Sequence, residues 1–296
     1  MKADTRDLLF VLLQHIVPQH LLSRLIGHLA SSQAPWIALP LIRNFMNRFQ
    51  IDLSEAERED PMLYKSFNDF FTRSLKPACR PLAEGDASIL ISPADGAISQ
   101  LGTITSGRIL QAKGQDFTLL ELLGGDQAAC KKLEGGSFMT VYLSPRDYHR
   151  VHMPASGKLI RMTHIPGALF SVNQVTAQYV PRLFARNERV VCLFDTEHGL
   201  MAVILVGAMI VASIETVWAG LVAPRTRGIL HTDYGAEAPT LNRGAEMGRF
   251  LLGSTVIVLT EPERFAWQED LKPGQSLRMG QRIARSITID DAQSAS

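Results

Sequence analysis

Val190-Val191-Cys192-Leu193-Phe194 and Ala202-Val203-Ile204-Leu205-Val206-Gly207-Ala208-Met209-Ile210-Val211 decide the fold, because both are apolar runs rich in Val, Ile and Leu. β-Branched residues suit a pleated, packed surface, and runs this short, bounded by Gly, Pro or Asp, read as strands. Working outward, Ser88–Ser92, Ile98–Ile104, Phe138–Leu143 and Thr255–Thr260 have the same texture. Pro273-Gly274 and Met279-Gly280 read as turns between further short strands. The expected main body is therefore mostly antiparallel β with few helices.

The first fifty residues differ. Leu21, Leu22, Leu25, Ile26 and Leu29 recur at helical spacing, with Pro18 suited to a first turn. Ile42, Phe45, Met46 and Phe49 repeat the pattern between Arg43, Asn44, Asn47 and Arg48. Two or three short, net basic amphipathic helices are expected, either capping the core or lying in a bilayer interface. The segment from Glu55 to Leu82, punctuated by Pro61, Pro77 and Pro81, reads as a linker with one helix near Ser66–Leu75. The fold class is α+β, divided into a helical region 1–55 and a β-rich catalytic domain 56–296.

Composition narrows the function classes. At 296 residues with 46% hydrophobic and 20% charged residues, the chain is globular. A net charge of +1 gives no reason to expect nucleic acid. Mean hydropathy is +0.06, compatible with a large core or a membrane-facing surface. Cys79, Cys130 and Cys192 are distant and odd in number, so neither a disulfide framework nor a thiolate metal site is expected. Asp4 and Asp7 among the first basic residues argue against a signal peptide. No run approaches the roughly 20 apolar residues that span a bilayer, so contact with a membrane would be peripheral.

Four places could carry chemistry. In Leu252-Gly253-Ser254-Thr255 a Gly-Ser pair interrupts a strand-like sequence, either as a turn or because Gly253 lets a hydroxyl approach the preceding carbonyl. In the stretch from Ser144 to Pro154, Ser144 and Asp147 resemble a capping box with Pro145 at the first helical position. A helix there would put His149 and His152 on one face, as metal ligands, as general acid and base, or as ordinary histidines. No second cluster completes a metal site. Asp95-Gly96, between two strand-like runs, reads as a hairpin turn, or Asp95 orients a histidine. Phe184–Arg189 reads as a solvated turn, with phosphate binding by its arginines as the other reading. Ser254, His152 and Asp95 together admit a serine hydrolase, although Ser254 lacks a Gly-x-Ser-x-Gly elbow.

The chain resembles the bacterial phosphatidylserine decarboxylase family. The resemblance rests on Leu252-Gly253-Ser254-Thr255, Ser92–Gly96, Tyr142–Pro154, Leu183–Thr196 and Ser213–Gly220. It covers nearly everything from about residue 60 to 260, while Arg225–Asn242 and the tail match poorly. It implies that Asp95, His152 and Ser254 form a relay for self-cleavage between Gly253 and Ser254, and that His149 serves decarboxylation. Ser254 Oγ would attack the Gly253 carbonyl, turning the peptide into an ester. Loss of the Ser254 α-proton would expel the Gly253 carboxylate, and hydrolysis would release ammonia and leave a pyruvoyl group. Chains 1–253 and 254–296 would result, with pyruvate as the covalent cofactor and no metal. The implied substrate is phosphatidylserine, at the cytoplasmic side of the cell membrane, with a homodimer admitted by analogy. Against this stand the serine hydrolase and a noncatalytic membrane-binding module built on the first fifty residues.

Overall fold

The structure is a computed structural model that describes residues 5–209, 213–223, 228–251 and 254–287. Its helices are α1 (Thr5–Ile16), α2 (Gln19–Ser31), α3 (Pro35–Phe49), α4 (Phe67–Phe71), α5 (Leu119–Leu122), α6 (Gln127–Leu133), α7 (Gln174–Tyr179) and α8 (Leu183–Arg186). The strands are β1 (Ile89–Ile91), β2 (Gly96–Thr103), β3 (Arg108–Ala112), β4 (Gln115–Thr118), β5 (Ser137–Leu143), β6 (Arg150–His152), β7 (Gly157–Ile165), β8 (Arg189–Thr196) and β9 (Gly199–Val206). They continue with β10 (Ile214–Thr216), β11 (Gly220–Ala223), β12 (Leu230–Asp233), β13 (Thr240–Leu241), β14 (Glu246–Phe250), β15 (Ser254–Thr260), β16 (Phe265–Trp267), β17 (Ser276–Leu277) and β18 (Arg282–Ser286).

The α+β expectation holds. A large antiparallel sheet runs β12-β7-β8-β9-β15-β5-β2-β17, with β13 also on β7. Two small sheets, β11-β10-β14-β6 and β1-β18-β16, lie over one of its faces. The alternation of side chains explains why the deciding runs are apolar throughout. Along β15, Ile257 and Leu259 join a core shared with Ile42, Phe70 and Phe71 from the helices. Val256 and Val258 point the other way, into a core shared with Val151, Met247 and Ile283 of the small sheets. Antiparallel strands usually leave one face wet and alternate in polarity. Here both faces are covered, so the alternation disappears.

Three local expectations are corrected. Of the run 202–211, described as far as Met209, the strand ends at Val206, and Gly207 N instead donates to Glu188 O at 2.9 Å. Asp95-Gly96 is not a hairpin: β1 pairs with β18, whereas β2 pairs with β5 and β17. Gly96 is required because a Cβ there would meet Tyr142 O at 2.4 Å. The helix expected over Ser66–Leu75 is only Phe67–Phe71, started by Ser66 Oγ accepting from Asp69 N at 3.2 Å. The predicted turns at Gly274 and Gly280 both use left-handed glycine, at φ +88° and +86°.

The N-terminal helices form as expected, but their apolar residues divide. Val11, Ala30, Ala38 and Ile42 are buried on the core. Leu21, Leu25 and Leu29, one helical stripe, point outward with Ile16 and with Trp36, which is 78% exposed. Among the described residues no single helix is long and apolar enough to cross a membrane, and α1 and α2 meet at an 87° bend.

Candidate active site

The site forms where the large sheet and one small sheet exchange strands. β15 begins opposite the end of β5, with Ser254 in register with Leu143. β14 pairs with β6, with Arg249 opposite Arg150. β14 thus ends at Phe250 in the small sheet and β15 begins at Ser254 in the large one, while Ser144–His149 makes the step from β5 to β6. Phe250 N donates to His149 O at 3.1 Å and ties the two steps together. Leu251 N donates to Ser213 O at 3.1 Å from the other side. Leu252 and Gly253, including the expected cleavage position, lie outside the described residues.

The step from Ser144 to His149 is not the helix that its sequence suggests. Asp147 does take the capping role in part, its Oδ2 accepting from Ser144 N at 2.7 Å. The chain then enters β6, which pairs with β14. His149 and His152 consequently do not share a helical face.

His149 and Ser254 are both fully buried. His149 Nδ1 lies 2.8 Å from Asp147 O. A carbonyl only accepts, so Nδ1 carries the proton and Nε2 presents a lone pair. That Nε2 and the Ser254 hydroxyl are both buried without a hydrogen-bond partner among the described residues. Burial, reinforced by the Arg73 guanidinium, pushes His149 down to about 3, so it is neutral near pH 7. The Phe71 ring, delivered by α4, packs on it with centroids 4.0 Å apart.

His152 is held differently. Nδ1 donates to Gly244 O at 2.8 Å, which leaves Nε2 to accept from the Tyr148 hydroxyl at 3.0 Å. Burial pushes its pKa below the usual histidine value, opposed by the Gly244 hydrogen bond and by the Glu246 and Asp95 charges. The carboxylate of Asp95 accepts from Arg80 Nε at 2.8 and 3.0 Å and from Met279 N at 2.8 Å. His152 N donates to Pro93 O at 2.8 Å, so Asp95 and His152 share one wall. Gly244, rather than Asp95, fixes the His152 tautomer here, and Asp95 acts on it through charge alone.

Sequence reasoning missed Tyr148, Gly244, Arg73 and Arg80. Tyr148 stands inside a segment already singled out, whereas both arginines lie in what reads as a polar linker. Phe184–Arg189 is corrected as well. Arg189 is buried, and its guanidinium donates to the carbonyls of Leu122, Ala185, Asn187 and Glu121, so it is structural rather than a solvated turn or a phosphate site. Among the described residues no three His, Cys, Asp or Glu side chains gather as metal ligands.

These elements define a class: an α+β protein with a buried serine at a strand start, a buried neutral histidine and a charge-clamped aspartate. Comparison with known proteins supplies the family. Residues 67–285 match the family model described as phosphatidylserine decarboxylase, and residues 9–50 match a second one, described as PSD. The phosphatidylserine decarboxylase proenzyme of Stutzerimonas stutzeri is 56% identical over 293 residues, 98% of each chain. That of Bordetella avium is 58% identical over 280 residues, 94% of this chain and 95% of its own. That of Azotobacter vinelandii is 57% identical over 284 residues, 95% and 99%. The chain belongs to the phosphatidylserine decarboxylase family.

Proposed function

We propose that this chain decarboxylates phosphatidylserine to phosphatidylethanolamine after cutting itself between Gly253 and Ser254. The observation that carries the reading is a Ser254 hydroxyl that is fully buried, without a hydrogen-bond partner among the described residues, at the first residue of β15. Buried polar atoms without partners are uncommon in folded proteins and call for an explanation. A hydroxyl poised to attack the carbonyl before it provides one. In the proposed relay His152 accepts the Ser254 proton, which requires the Tyr148 hydroxyl to release Nε2. Asp95 stabilises the imidazolium through space, itself held by Arg80. β15 is hydrogen-bonded to β5 and β9 along its length, so the new N-terminus stays in place after the cut.

The residues present fit a pyruvoyl group at position 254, since Ser254 is fully buried and His149, also buried, is a neutral imidazole with a free lone pair. Such a group supplies an electron sink for the pair left behind when carbon dioxide departs. Around it, Phe71 and the core exclude water, and the His149 lone pair can take and return a proton.

The outward stripe on α1–α3 supports action at a membrane surface. Exposed Leu21, Leu25, Leu29 and Trp36 form a patch suited to a bilayer interface, with Arg24, Arg43 and Arg48 complementing an anionic lipid. The free cysteines suit its reducing, cytoplasmic side. Purified protein is expected to release carbon dioxide from phosphatidylserine in detergent micelles and to lose this activity with hydroxylamine. Protein that releases none would overturn the proposal.

A further inference from the structure

Arg73 is a buried cation with no ion-pair partner among the described residues. It follows α4, is 4% exposed, and donates through Nη2 to Arg146 O at 3.0 Å. Its Nη1 has no hydrogen-bond partner, and no carboxylate pairs with the guanidinium among the described residues. The contrast with its neighbours is sharp. Arg80 is paired with both Asp95 and Glu55, and Arg150 with Glu246. Arg189, buried as deeply, spends its donors on carbonyls. Only Arg73 combines deep burial with a spare donor among these four, and burial holds its guanidinium below the usual range.

Arg73 also faces space. A cleft of about 300 Å³ is lined by Arg73, Arg80, Asp95, Arg146, Asp147 and Tyr148, and by Ile51 and Glu55 just beyond α3. Its wall thus carries Asp147 and Tyr148, which hydrogen-bond to His149 and His152, and Ile51, which directly follows the N-terminal helices. The volume suits a small polar head group. A buried charge is tolerated when a partner compensates it. Among the described residues Asp95 and Asp147 act on Arg73 only through space and the Phe70 ring lies 5.6 Å from it, which leaves room for an incoming anion.

Given the decarboxylase reading, on which this inference rests, the incoming head group carries two anions, a carboxylate and a phosphodiester. Their chemistry separates them. The carboxylate leaves as neutral carbon dioxide, so an arginine clamped on it would stabilise the ground state more than the transition state and slow the reaction. The phosphodiester is unchanged throughout, so binding it costs nothing at the barrier and orients the amine and the scissile bond. A guanidinium matches its two free oxygens with paired donors. We infer that Arg73 binds the phosphodiester of the phospholipid head group at the inner end of this cleft.

The test uses mature, two-chain enzyme with phosphatidylserine in detergent micelles, and phosphatidylethanolamine as a product inhibitor. Losing charged hydrogen bonds to a phosphate raises KM about tenfold in Arg73→Lys and about a hundredfold in Arg73→Gln. The inhibition constant for phosphatidylethanolamine should rise by the same factor, because the product keeps its phosphate. Unchanged KM in a cleaved variant overturns the assignment. So does a raised KM with unchanged product inhibition, which would place Arg73 on the carboxylate. Should neither variant mature, the wild-type enzyme decides: glycerophosphoethanolamine competes, whereas ethanolamine and L-serine at equal concentration do not. Absent or phosphate-independent competition overturns the inference. Failure of the decarboxylase reading itself would show separately, as wild-type protein that stays uncut or releases no carbon dioxide.

Discussion

The Tyr148 hydroxyl donates to His152 Nε2 at 3.0 Å, so a buried phenol occupies the lone pair that the proposed base needs. Ser254 Oγ has no partner among the described residues, so this phenol does not bridge serine to histidine in the conformation described. It is a competitor rather than a relay. Tyr148→Phe should therefore cut itself at least as fast as wild type, with a stability loss of about 1 kcal/mol for one hydrogen bond. Time-resolved electrophoresis of newly made protein checks this. A variant that stays uncut would show that the hydroxyl carries the proton.

Arg80 joins the Pro-punctuated segment to the site by pairing with both Asp95 and Glu55. Replacing it by Gln leaves the Asp95 carboxylate buried, with Met279 N as its remaining donor. Breaking such a pair from one side costs about 3 kcal/mol. Urea denaturation should show a loss of that order for Arg80→Gln. A loss below about 0.5 kcal/mol, the usual range for surface substitutions, would mean that the clamp is dispensable.

The two buried histidines set a pH dependence. Both have folded pKa values below their unfolded ones, His149 at about 3 and His152 lowered by burial. Below about pH 6.5 the unfolded chain takes up protons that the folded chain refuses, so stability falls as pH falls. The slope approaches about 1.4 kcal/mol per pH unit for each histidine involved. Denaturant midpoints measured between pH 7 and 5 should decline less steeply in His149→Gln than in wild type. Parallel declines would remove His149 from the account.

Membrane contact through α2 gives a prediction that leaves the core alone. Leu21 and Leu25 are exposed, so Leu21→Ser with Leu25→Ser should not alter the melting temperature. Losing two apolar anchors should weaken binding to phosphatidylserine vesicles roughly a hundredfold. Sedimentation with vesicles measures it, and unchanged binding would show that this stripe does not meet the bilayer.

What the sequence made legible follows from where the determining forces lie. β9 and β15 were readable because burial on both faces makes them apolar at every position. Ser254 and His149 stand out in the sequence through their local motifs, and the structure buries both. The short strand β6 was misread as helix because Ser144 and Asp147 supply a genuine local turn, whereas the pairing that overrides it comes from β14, about a hundred residues away. Arg73 and Arg80 were hidden for a related reason. Arginine in a Pro-rich stretch carries no periodic signal, and the groups that bury it arrive from elsewhere in the chain. The outward-facing stripe of α2 has the spacing of a buried one, and only its packing shows which side is the core.

The central claim is that the Ser254 hydroxyl breaks the bond to Gly253, and intact mass of purified protein tests it most directly. Wild type should give two chains, 1–253 and 254–296, the smaller lacking a free amino terminus, and Ser254→Ala should give one uncut chain. A single unbroken wild-type polypeptide, or a Ser254→Ala variant that still divides, would contradict it.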